Sequence, residues 1–182
     1  LARDSYAEKI NSDFYKTKYR ARWYEDPALT ATEDCGERTI FLEKKMKVGS
    51  KRLKSRSTIA LPLTEIREQN LASAFHGLWH RLFAENGDTG FLEPFVQISY
   101  IRKRFVDPVT QARFSLDCDI RVERSNPLYL PSPSVAVLPH GVFEIKSSSN
   151  RPPESMHYLT NYLAQKTCFS KYARCVSQLI QH

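Results

Sequence analysis

Six segments of this chain alternate, residue by residue, between apolar and polar side chains, and the polar side of each is densely ionic. The segments lie at residues 14–24, 39–47, 53–60, 96–105, 113–123 and 142–148. A period of two is typical of β-strands whose two faces meet different surroundings. The pattern therefore predicts a β-rich fold, with helices confined to the stretches between and after the strands.

The fifth segment shows the alternation most clearly. Its polar positions are Arg113, Ser115, Asp117, Asp119, Arg121 and Glu123, and its apolar positions are Phe114, Leu116, Cys118, Ile120 and Val122. One such strand is typical of a solvated face over an ordinary core. Six strands in succession favour a different interpretation, in which the ionic faces share a ligand.

Two segments stack like charges along a single face. The cations are Lys16, Lys18, Arg20 and Arg22 on the first segment, and Lys54 and Arg56 on the third. Like charges on neighbouring strands destabilise a sheet unless an anion lies between them. A sheet that curls with its ionic faces inward would enclose these cations around a bound polyphosphate. Its apolar faces would then point outward and need helices to cover them.

Helical spacing of apolar residues predicts three helices, over residues 64–86, over residues 154–166, and from Ser170 to the end. The first carries His76 and His80, four residues apart, which is a spacing that suits a metal ion. We favour ordinary surface histidines, because no third ligand lies nearby in the sequence. Ser170 is a residue type that favours a helix N-cap.

The composition of the chain limits the kinds of molecule that it could bind and the place where it could work. The 182 residues include 27 Lys and Arg against 20 Asp and Glu, a net charge of +7, which favours a polyanion. The length suits one domain over residues 1–182. The four cysteines form no Cys-x-x-Cys pair, which predicts reduced thiols and a cytoplasmic location. No apolar run approaches the roughly 20 residues of a membrane span.

Nucleic acid is disfavoured as the polyanion. Tyr15, Tyr19 and Trp23 alternate away from the basic residues of the first segment. Base stacking and phosphate contact would therefore require opposite sides of one strand.

Seven short motifs follow one another along the chain. They are RARWY at 20–24, FLEKK at 41–45, KSR at 54–56, YIR at 100–102, RFSLD at 113–117, FEIK at 143–146 and FSKY at 169–172. In this order they resemble the VTC domain, which is the catalytic module of the vacuolar transporter chaperone polyphosphate polymerases. That family belongs to the triphosphate tunnel metalloenzyme superfamily, and the resemblance covers nearly the whole chain.

The resemblance implies an α+β fold, an eight-stranded antiparallel β-tunnel with a basic lumen and helices packed outside. It also implies an activity, in which the γ-phosphate of ATP is transferred to a growing polyphosphate chain with Mn²⁺ or Mg²⁺ as cofactor. A triphosphate hydrolase of the same superfamily and a catalytically silent polyphosphate-binding module are the alternatives. Association with a membrane complex is left open.

The resemblance assigns roles to individual residues. The positions that match catalytic residues are Arg20, Arg22, Lys45, Arg102, Arg113 and Lys171. All six also match phosphate-binding positions of the family, and the further positions that match are Lys54, Arg56, Tyr100, Lys146 and Ser170. Glu144 matches the metal-binding carboxylate of the family.

The chemistry of phosphoryl transfer fits these residue types. The reaction asks the protein mainly for positioning and for stabilisation of charge, which arginine forks and lysine ammonium groups supply. A divalent ion needs only one or two carboxylates when substrate phosphates complete its shell, so Glu144 alone could hold it. The other interpretation of Glu144 is an ion pair with a lumen arginine. Glu43, Asp117 and Asp119 are interpreted as counter-ions that hold the cations in place.

The chain departs from the family pattern in two ways. The family has a lysine immediately before the Phe-Ser-Lys unit, where this chain has Cys168. The family also begins with strands that would precede Leu1, one of which carries a lumen lysine. Since we count six strands where a closed tunnel needs eight, we expect that the chain is truncated at its N-terminus.

Overall fold

The computed structural model describes residues 14–26, 36–68, 70–71, 92–130, 136–146, 153–154, 156–158 and 167–180. Two compact units are present. The first takes its described residues from Leu1–Val96 and Ser125–Ser132, and the second takes them from Gln97–Arg124 and Pro133–His182. Each unit contributes one three-stranded sheet.

The sheet of the first unit consists of β1 (Tyr15–Arg22), β2 (Glu37–Val48) and β3 (Lys51–Pro62), which pair antiparallel in that order. A tight turn at Gly49 and Ser50 joins β2 to β3, and Gly49 takes a left-handed φ of 58°. The left-handed φ favours glycine at this position, and a Cβ there would also lie 2.8 Å from the exposed ring of Phe14, which would have to shift. Helix α1 (Leu63–Glu68) follows β3 directly.

The core of the first unit lies on the apolar face of this sheet. It is formed by Ile40 and Leu42 of β2 together with Leu63 and Ile66 of α1, all fully buried or nearly so. Each such side chain contributes about 1.5–3 kcal/mol by leaving water. Partly buried Tyr19, Ala21, Trp23, Ile59, Leu61 and Leu92 pack around them. The prediction that a helix covers the apolar face is confirmed for this sheet.

Lys44 interrupts that apolar face, as its position in the sequence predicted. Lys44 lies opposite Tyr19 in the register of β1 and β2, and its ammonium group lies 5.7 Å from the centre of the Tyr19 ring. A cation over the face of an aromatic ring is attracted by the ring quadrupole. The long side chain is thereby accommodated beside the core.

The second unit contains β4 (Val96–Val106) and β5 (Arg113–Ser125), apart from their end residues Val96 and Ser125, together with β6 (Val142–Lys146) and α2 (Lys171–Ile180). The strand order is β4-β5-β6, and β6 is antiparallel to β5. Alternate residues of β5 are buried as predicted, namely Phe114, Ile120 and Val122. Ser115 and Asp117, on the polar face, are buried as well, so that face does not simply meet water.

The neighbour of β5 changes along its length. Asp117 pairs with Val142 of β6, whereas Arg121 forms an isolated bridge with Val137. Between these pairs Asp119 takes a left-handed φ of 54°, a backbone conformation that Asp tolerates better than most residues. The unbroken extended strand predicted for residues 113–123 therefore has a local irregularity at Asp119.

All six predicted strands are present, and their bounds differ from the predicted ones by at most two residues wherever both ends are described. The closed eight-stranded tunnel stays a prediction, because the described residues form two separate three-stranded sheets. In the described part of the chain, no helix is long and apolar enough to cross a membrane.

Two of the three predicted helices differ from the helices that the structure describes. The helix predicted over 64–86 begins at Leu63 but ends at Glu68, since Asn70 and Leu71 are not helical; asparagine side chains compete with helical hydrogen bonding. His76 and His80 lie outside the described residues. In 154–166, Glu154 and residues 156–158 form 3₁₀ turns, and the remainder lies outside the described residues. The third helix is confirmed as α2.

Candidate functional site

One face of the first sheet is almost entirely cationic. Paired residues of antiparallel strands project on the same side, so the register defines four rows across the sheet. In order toward the β2–β3 turn, the rows are Arg22-Phe41-Thr58, Arg20-Glu43-Arg56, Lys18-Lys45-Lys54 and Lys16-Lys47-Arg52. We call these twelve residues the cationic face. They include nine cations and one carboxylate, that of Glu43, while the exposed Glu37 lies on the same side of β2 beyond these four rows.

The Glu43 carboxylate is the centre of this face. Its side chain is only 1% exposed, and five cations approach it within 4.0 Å. Arg20 makes the closest contact, and Arg56 donates through Nε at 3.1 Å and Nη2 at 2.7 Å. Lys54, Arg22 and Lys45 lie at 3.3, 3.4 and 4.0 Å, respectively. One buried anion therefore organises five side chains from three strands.

Glu43 is ionised at neutral pH. Burial alone would raise its pKa, but the hydrogen bonds from Arg20 and Arg56 and the charges of Arg20 and Arg22 outweigh burial and lower the pKa to about 2. The charged form of Lys45, by contrast, is disfavoured, because burial and the neighbouring charge of Arg20 lower the pKa of its ammonium group. The cations around Glu43 thus exceed what one carboxylate can neutralise.

Aromatic rings position the arginines at one end of the face. The Phe41 ring lies 5.3 Å from the Arg22 guanidinium and 5.4 Å from that of Arg56. Arg22 also lies 5.5 Å from the centre of the Tyr24 ring. Among the side chains that the structure describes, the Arg22 Nε is the only buried nitrogen or oxygen without a hydrogen-bond partner. It is a donor that is held in place and lacks an acceptor.

A second buried carboxylate organises cations in the second unit. Asp117 is fully buried, and Arg102 donates to it in bidentate fashion, from Nε at 2.5 Å and Nη2 at 2.7 Å. Lys171, the first residue of α2, contacts the same carboxylate. The Tyr100 ring lies 5.2 Å from the Arg102 guanidinium and 4.9 Å from the Lys171 ammonium nitrogen. Strand β4, strand β5 and helix α2 thus meet at one ionic cluster.

Asp117 and Arg102 each stabilise the charged form of the other. Burial opposes ionisation of Asp117, but hydrogen bonds from Arg102 and Lys171 lower its pKa below the usual range. The same hydrogen bond from Arg102 raises the pKa of the guanidinium. Asp117 is therefore held as an anion and Arg102 as a cation, in contact with each other.

Glu144 lies beside this cluster with its carboxylate open to solvent. Its side chain is 42% exposed, and its oxygens lie 4.0 Å from Arg102 Nη2 and 3.6 Å from Lys146 Nζ. In the register of β5 and β6, Glu144 faces Ser115 and Lys146 faces Arg113. The predicted metal residue and three predicted phosphate-binding residues therefore share one neighbourhood.

Ser170 lies at the start of α2, as predicted. Its Oγ accepts a long hydrogen bond of 3.4 Å from the Ala173 N–H, and its carbonyl oxygen accepts one of 3.0 Å from the Arg174 N–H. The hydroxyl is thus that of an N-cap. Cys168, at the position where the family has a lysine, is exposed and bears a free thiol.

The donor set can be tested against a divalent ion. Within the described ranges, no group of three or more His, Cys, Asp or Glu side chains lies together. Magnesium and similar hard ions bind through one or two carboxylates when substrate phosphates supply the other oxygens. A single accessible carboxylate such as that of Glu144 fits this mode of binding.

The three carboxylates that were interpreted as counter-ions differ in burial and in the number of cations that they contact. The interpretation is confirmed for Glu43 and Asp117, which contact five and two cations, respectively. Asp119 also pairs with a cation, that of Arg121 two residues along its own strand, but unlike the other two carboxylates it is exposed. Its left-handed backbone turns it away from the regular ladder. The role of Phe41 beside the arginines was missed, although the alternation places Phe41 on the same face of its segment as Glu43.

Together these features define a β-protein with two three-stranded sheets, each of which carries a cluster of arginine and lysine side chains anchored by a buried carboxylate. The model of the VTC domain family matches residues 1–180, nearly the whole chain, and the chain belongs to that family. The family is associated with polyphosphate polymerase activity. No curated protein matches the chain.

Proposed function

We propose that this domain is an ATP-dependent polyphosphate polymerase, which transfers the γ-phosphate of ATP to a growing polyphosphate chain. The observation that carries the proposal is the cationic face of a VTC domain, with nine cations and one carboxylate. Cations paired across strands repel one another, and a multiply charged anion between them removes that repulsion. A polyphosphate supplies several negative charges along one line.

The roles of the first unit follow from residue type. Arg20 and Arg56 present rigid forks that suit the oxygens of a phosphate group, and Arg22 adds a buried donor that lacks an acceptor. Lys45 and Lys54 act as movable point charges. Glu43 acts through these cations by holding them in position and does not touch substrate.

The second unit supplies further phosphate contacts in this proposal. Arg102 and Lys171, both fixed by Asp117 and Tyr100, would stabilise negative charge that develops as the phosphoryl group is transferred. Arg113, Lys146 and Ser170 are the remaining phosphate-binding residues. Phosphoryl transfer depends on positioning and electrostatics more than on covalent catalysis, and preorganised cations meet that requirement.

The proposal includes Mn²⁺ or Mg²⁺ as cofactor, held by Glu144 and by oxygens of the substrate phosphates. When bound, such an ion neutralises charge on the phosphoryl oxygens. Glu144 is accessible enough to serve, and Arg102 and Lys146 lie close enough to bind the same phosphate group.

Three further points belong to the proposal. The closed eight-stranded tunnel rests on membership of the family. A cytoplasmic location is supported by the free thiols of Cys118, Cys168 and Cys175, since disulfides are rare in reducing compartments. ATP and polyphosphate are the proposed ligands, and association with a membrane complex is open to a pull-down from membranes.

A catalytically silent polyphosphate-binding module is the second candidate, and Cys168 favours it. A neutral thiol stands where the family has a lysine, which removes one cation next to Ser170 and Lys171. Such a module would bind tripolyphosphate in the presence of a chelator and show no turnover.

One experiment separates these candidates. The protein is incubated with ATP and Mn²⁺, the products are resolved on a gel, and released inorganic phosphate is measured in parallel, with Glu144→Gln as the matched control. We expect a ladder of polyphosphate in the wild type and none in the control. Phosphate release without a ladder would identify a hydrolase. Folded protein that binds tripolyphosphate but yields neither product would identify a silent module.

A further inference from the structure

The cationic face continues well beyond the residues assigned to the reaction. Its outermost row, nearest the β2–β3 turn, consists of Lys16, Lys47 and Arg52, and no family role was assigned to any of them. We call these three residues the outer row. Lys18 completes the row before it, beside Lys45 and Lys54. These two described rows hold six cations and no Asp or Glu.

The register gives the distance that the face covers. Successive rows are two residues apart along each strand, which is about 7 Å at a rise of ~3.4 Å per residue. The outer row therefore lies about 14 Å from the row of Arg20, Glu43 and Arg56. Three linked phosphates held among these arginines do not reach the outer row, whereas an elongated chain of phosphates does.

The chemistry of the face changes along this distance. Near Glu43 the cations are mainly arginines, fixed by a buried carboxylate and by the Phe41 ring. Toward the turn they are mainly lysines, and Lys45 and Lys54 are about half exposed. Rigid forks suit a phosphate that must be held in one geometry, whereas flexible ammonium groups suit a repeating chain that shifts past them.

We propose that the outer row and Lys18 bind the elongated polyphosphate chain, while the Glu43 row holds the reacting phosphates. This inference rests on the proposed function and adds a direction to it, because the chain then extends from Glu43 toward the β2–β3 turn. The ligand is a linear polyanion with regularly spaced phosphates, longer than a triphosphate.

An anionic lipid surface is the other polyanion that this end of the sheet could meet. Phe14 and Leu53 are 62% and 57% exposed there, and basic residues with exposed apolar side chains suit a membrane surface. Leu53, however, pairs with Met46 and so lies on the opposite face from the outer row. The six cations share one face and one line, which favours a linear chain over a flat surface.

The test compares two ligands on one variant. Lys16→Gln, Lys47→Gln and Arg52→Gln are combined, and the dissociation constants for tripolyphosphate and for long-chain polyphosphate are measured by calorimetry. We expect the affinity for the long chain to fall on the order of tenfold, as three exposed ion pairs are lost. We expect the affinity for tripolyphosphate to stay within about twofold, because three linked phosphates do not reach this row. The salt dependence of long-chain binding should become shallower.

A matched variant controls for the loss of three charges. Lys51→Gln, Lys103→Gln and Arg174→Gln remove exposed cations elsewhere, and Lys51 lies beside the same turn but outside the cationic face. This control should bind both ligands as the wild type does. Circular dichroism checks that each variant is folded, and Lys47→Gln alone gives the same test should the triple variant not fold.

Three results would overturn the inference. They are unchanged affinity of the outer-row variant for the long chain, an equal loss for both ligands, and a loss of binding to phosphatidylserine vesicles with polyphosphate binding intact. The last result would assign the row to a membrane surface. Failure of the proposed function is distinguishable, because the wild type would then bind neither tripolyphosphate nor the long chain.

Discussion

Replacing Glu43 by glutamine should destabilise the protein more than any other single removal of a carboxylate from the first sheet. Glutamine has nearly the same shape and keeps an acceptor, so the substitution isolates the charge. The five cations within 4.0 Å would then face one another without a counter-ion. Arg20 and Arg56 would each lose a charge-assisted hydrogen bond.

The magnitude follows from the pKa of Glu43. A fall from 4.5 to about 2 means that the ionised form stabilises the fold by about 3 kcal/mol relative to the neutral form. The Glu43 side chain is almost wholly buried, but the five cations around it are 25–50% exposed and partly screened by solvent, so about 3 kcal/mol is an upper value. In other proteins, breaking a buried ion pair by removing one partner costs about 3–5 kcal/mol, and the value derived for Glu43 lies at the lower end of that range.

The assay is urea unfolding of the wild type and of Glu43→Gln as a function of pH. Because the pKa of Glu43 is lower in the folded state, its contribution is present in full above pH 4.5 and is lost as the pH falls through about 2. The difference between the two proteins should therefore be at most about 3 kcal/mol at pH 7 and close progressively below pH 4.5.

Glu123→Gln is the matched control, since Glu123 is half exposed and accepts one hydrogen bond from Ser99. It should cost no more than about 1 kcal/mol. Tripolyphosphate should raise the urea midpoint of the Glu43→Gln variant by more than it raises the urea midpoint of the wild type, because the ligand supplies the missing negative charge. A cost below about 1 kcal/mol at pH 7 would show that Glu43 does not anchor the cations, and the account of the cationic face would be wrong.

Three further predictions concern single side chains. Arg20→Ala should weaken tripolyphosphate binding in calorimetry by about tenfold, as one charge-assisted hydrogen bond is lost. The free energy of unfolding should change by less than about 1 kcal/mol, and a larger change would make Arg20 a structural residue. Glu144→Ala should abolish Mn²⁺-dependent turnover yet keep tripolyphosphate binding in a chelator, and retained turnover would contradict its metal role. Asp117→Asn should cost about 3 kcal/mol in urea unfolding by leaving Arg102 and Lys171 without a buried counter-ion, and a neutral result would refute that anchoring.

Much of the fold was predictable because strand periodicity is a local property. The alternation around Arg113–Ser125 identified β5 and its two faces without knowledge of any neighbour. The seven ordered motifs identified the family, which the match over residues 1–180 confirms. The predicted helix over 64–86 was wrong beyond Glu68 among the described residues, because apolar spacing indicates which face of a helix is buried and does not fix the residue at which the helix ends.

The candidate site was predictable as a set of residues but not as an arrangement. The alternation marked the cations of the ionic faces, the resemblance to the VTC domain assigned phosphate-binding roles to Arg20, Arg56 and Lys45, and Glu43 was interpreted as a counter-ion. Nothing in the sequence indicated that one carboxylate would be nearly fully buried and would meet cations from three strands. Asp119 was assigned the same role and pairs only with Arg121 of its own strand, at a left-handed φ that the alternation does not reveal.

The amino-acid sequence by itself determined the strands, their ionic and apolar faces, and the family, since each depends on residue type and spacing within a short stretch of chain. Only the tertiary structure decided the register, which sets Arg20 and Arg56 on either side of Glu43 and aligns Lys16, Lys47 and Arg52 in one row. The physical reason is that register, burial and pKa arise from contacts between residues far apart in the chain. A shift of one residue would have turned every one of these cations toward the apolar face.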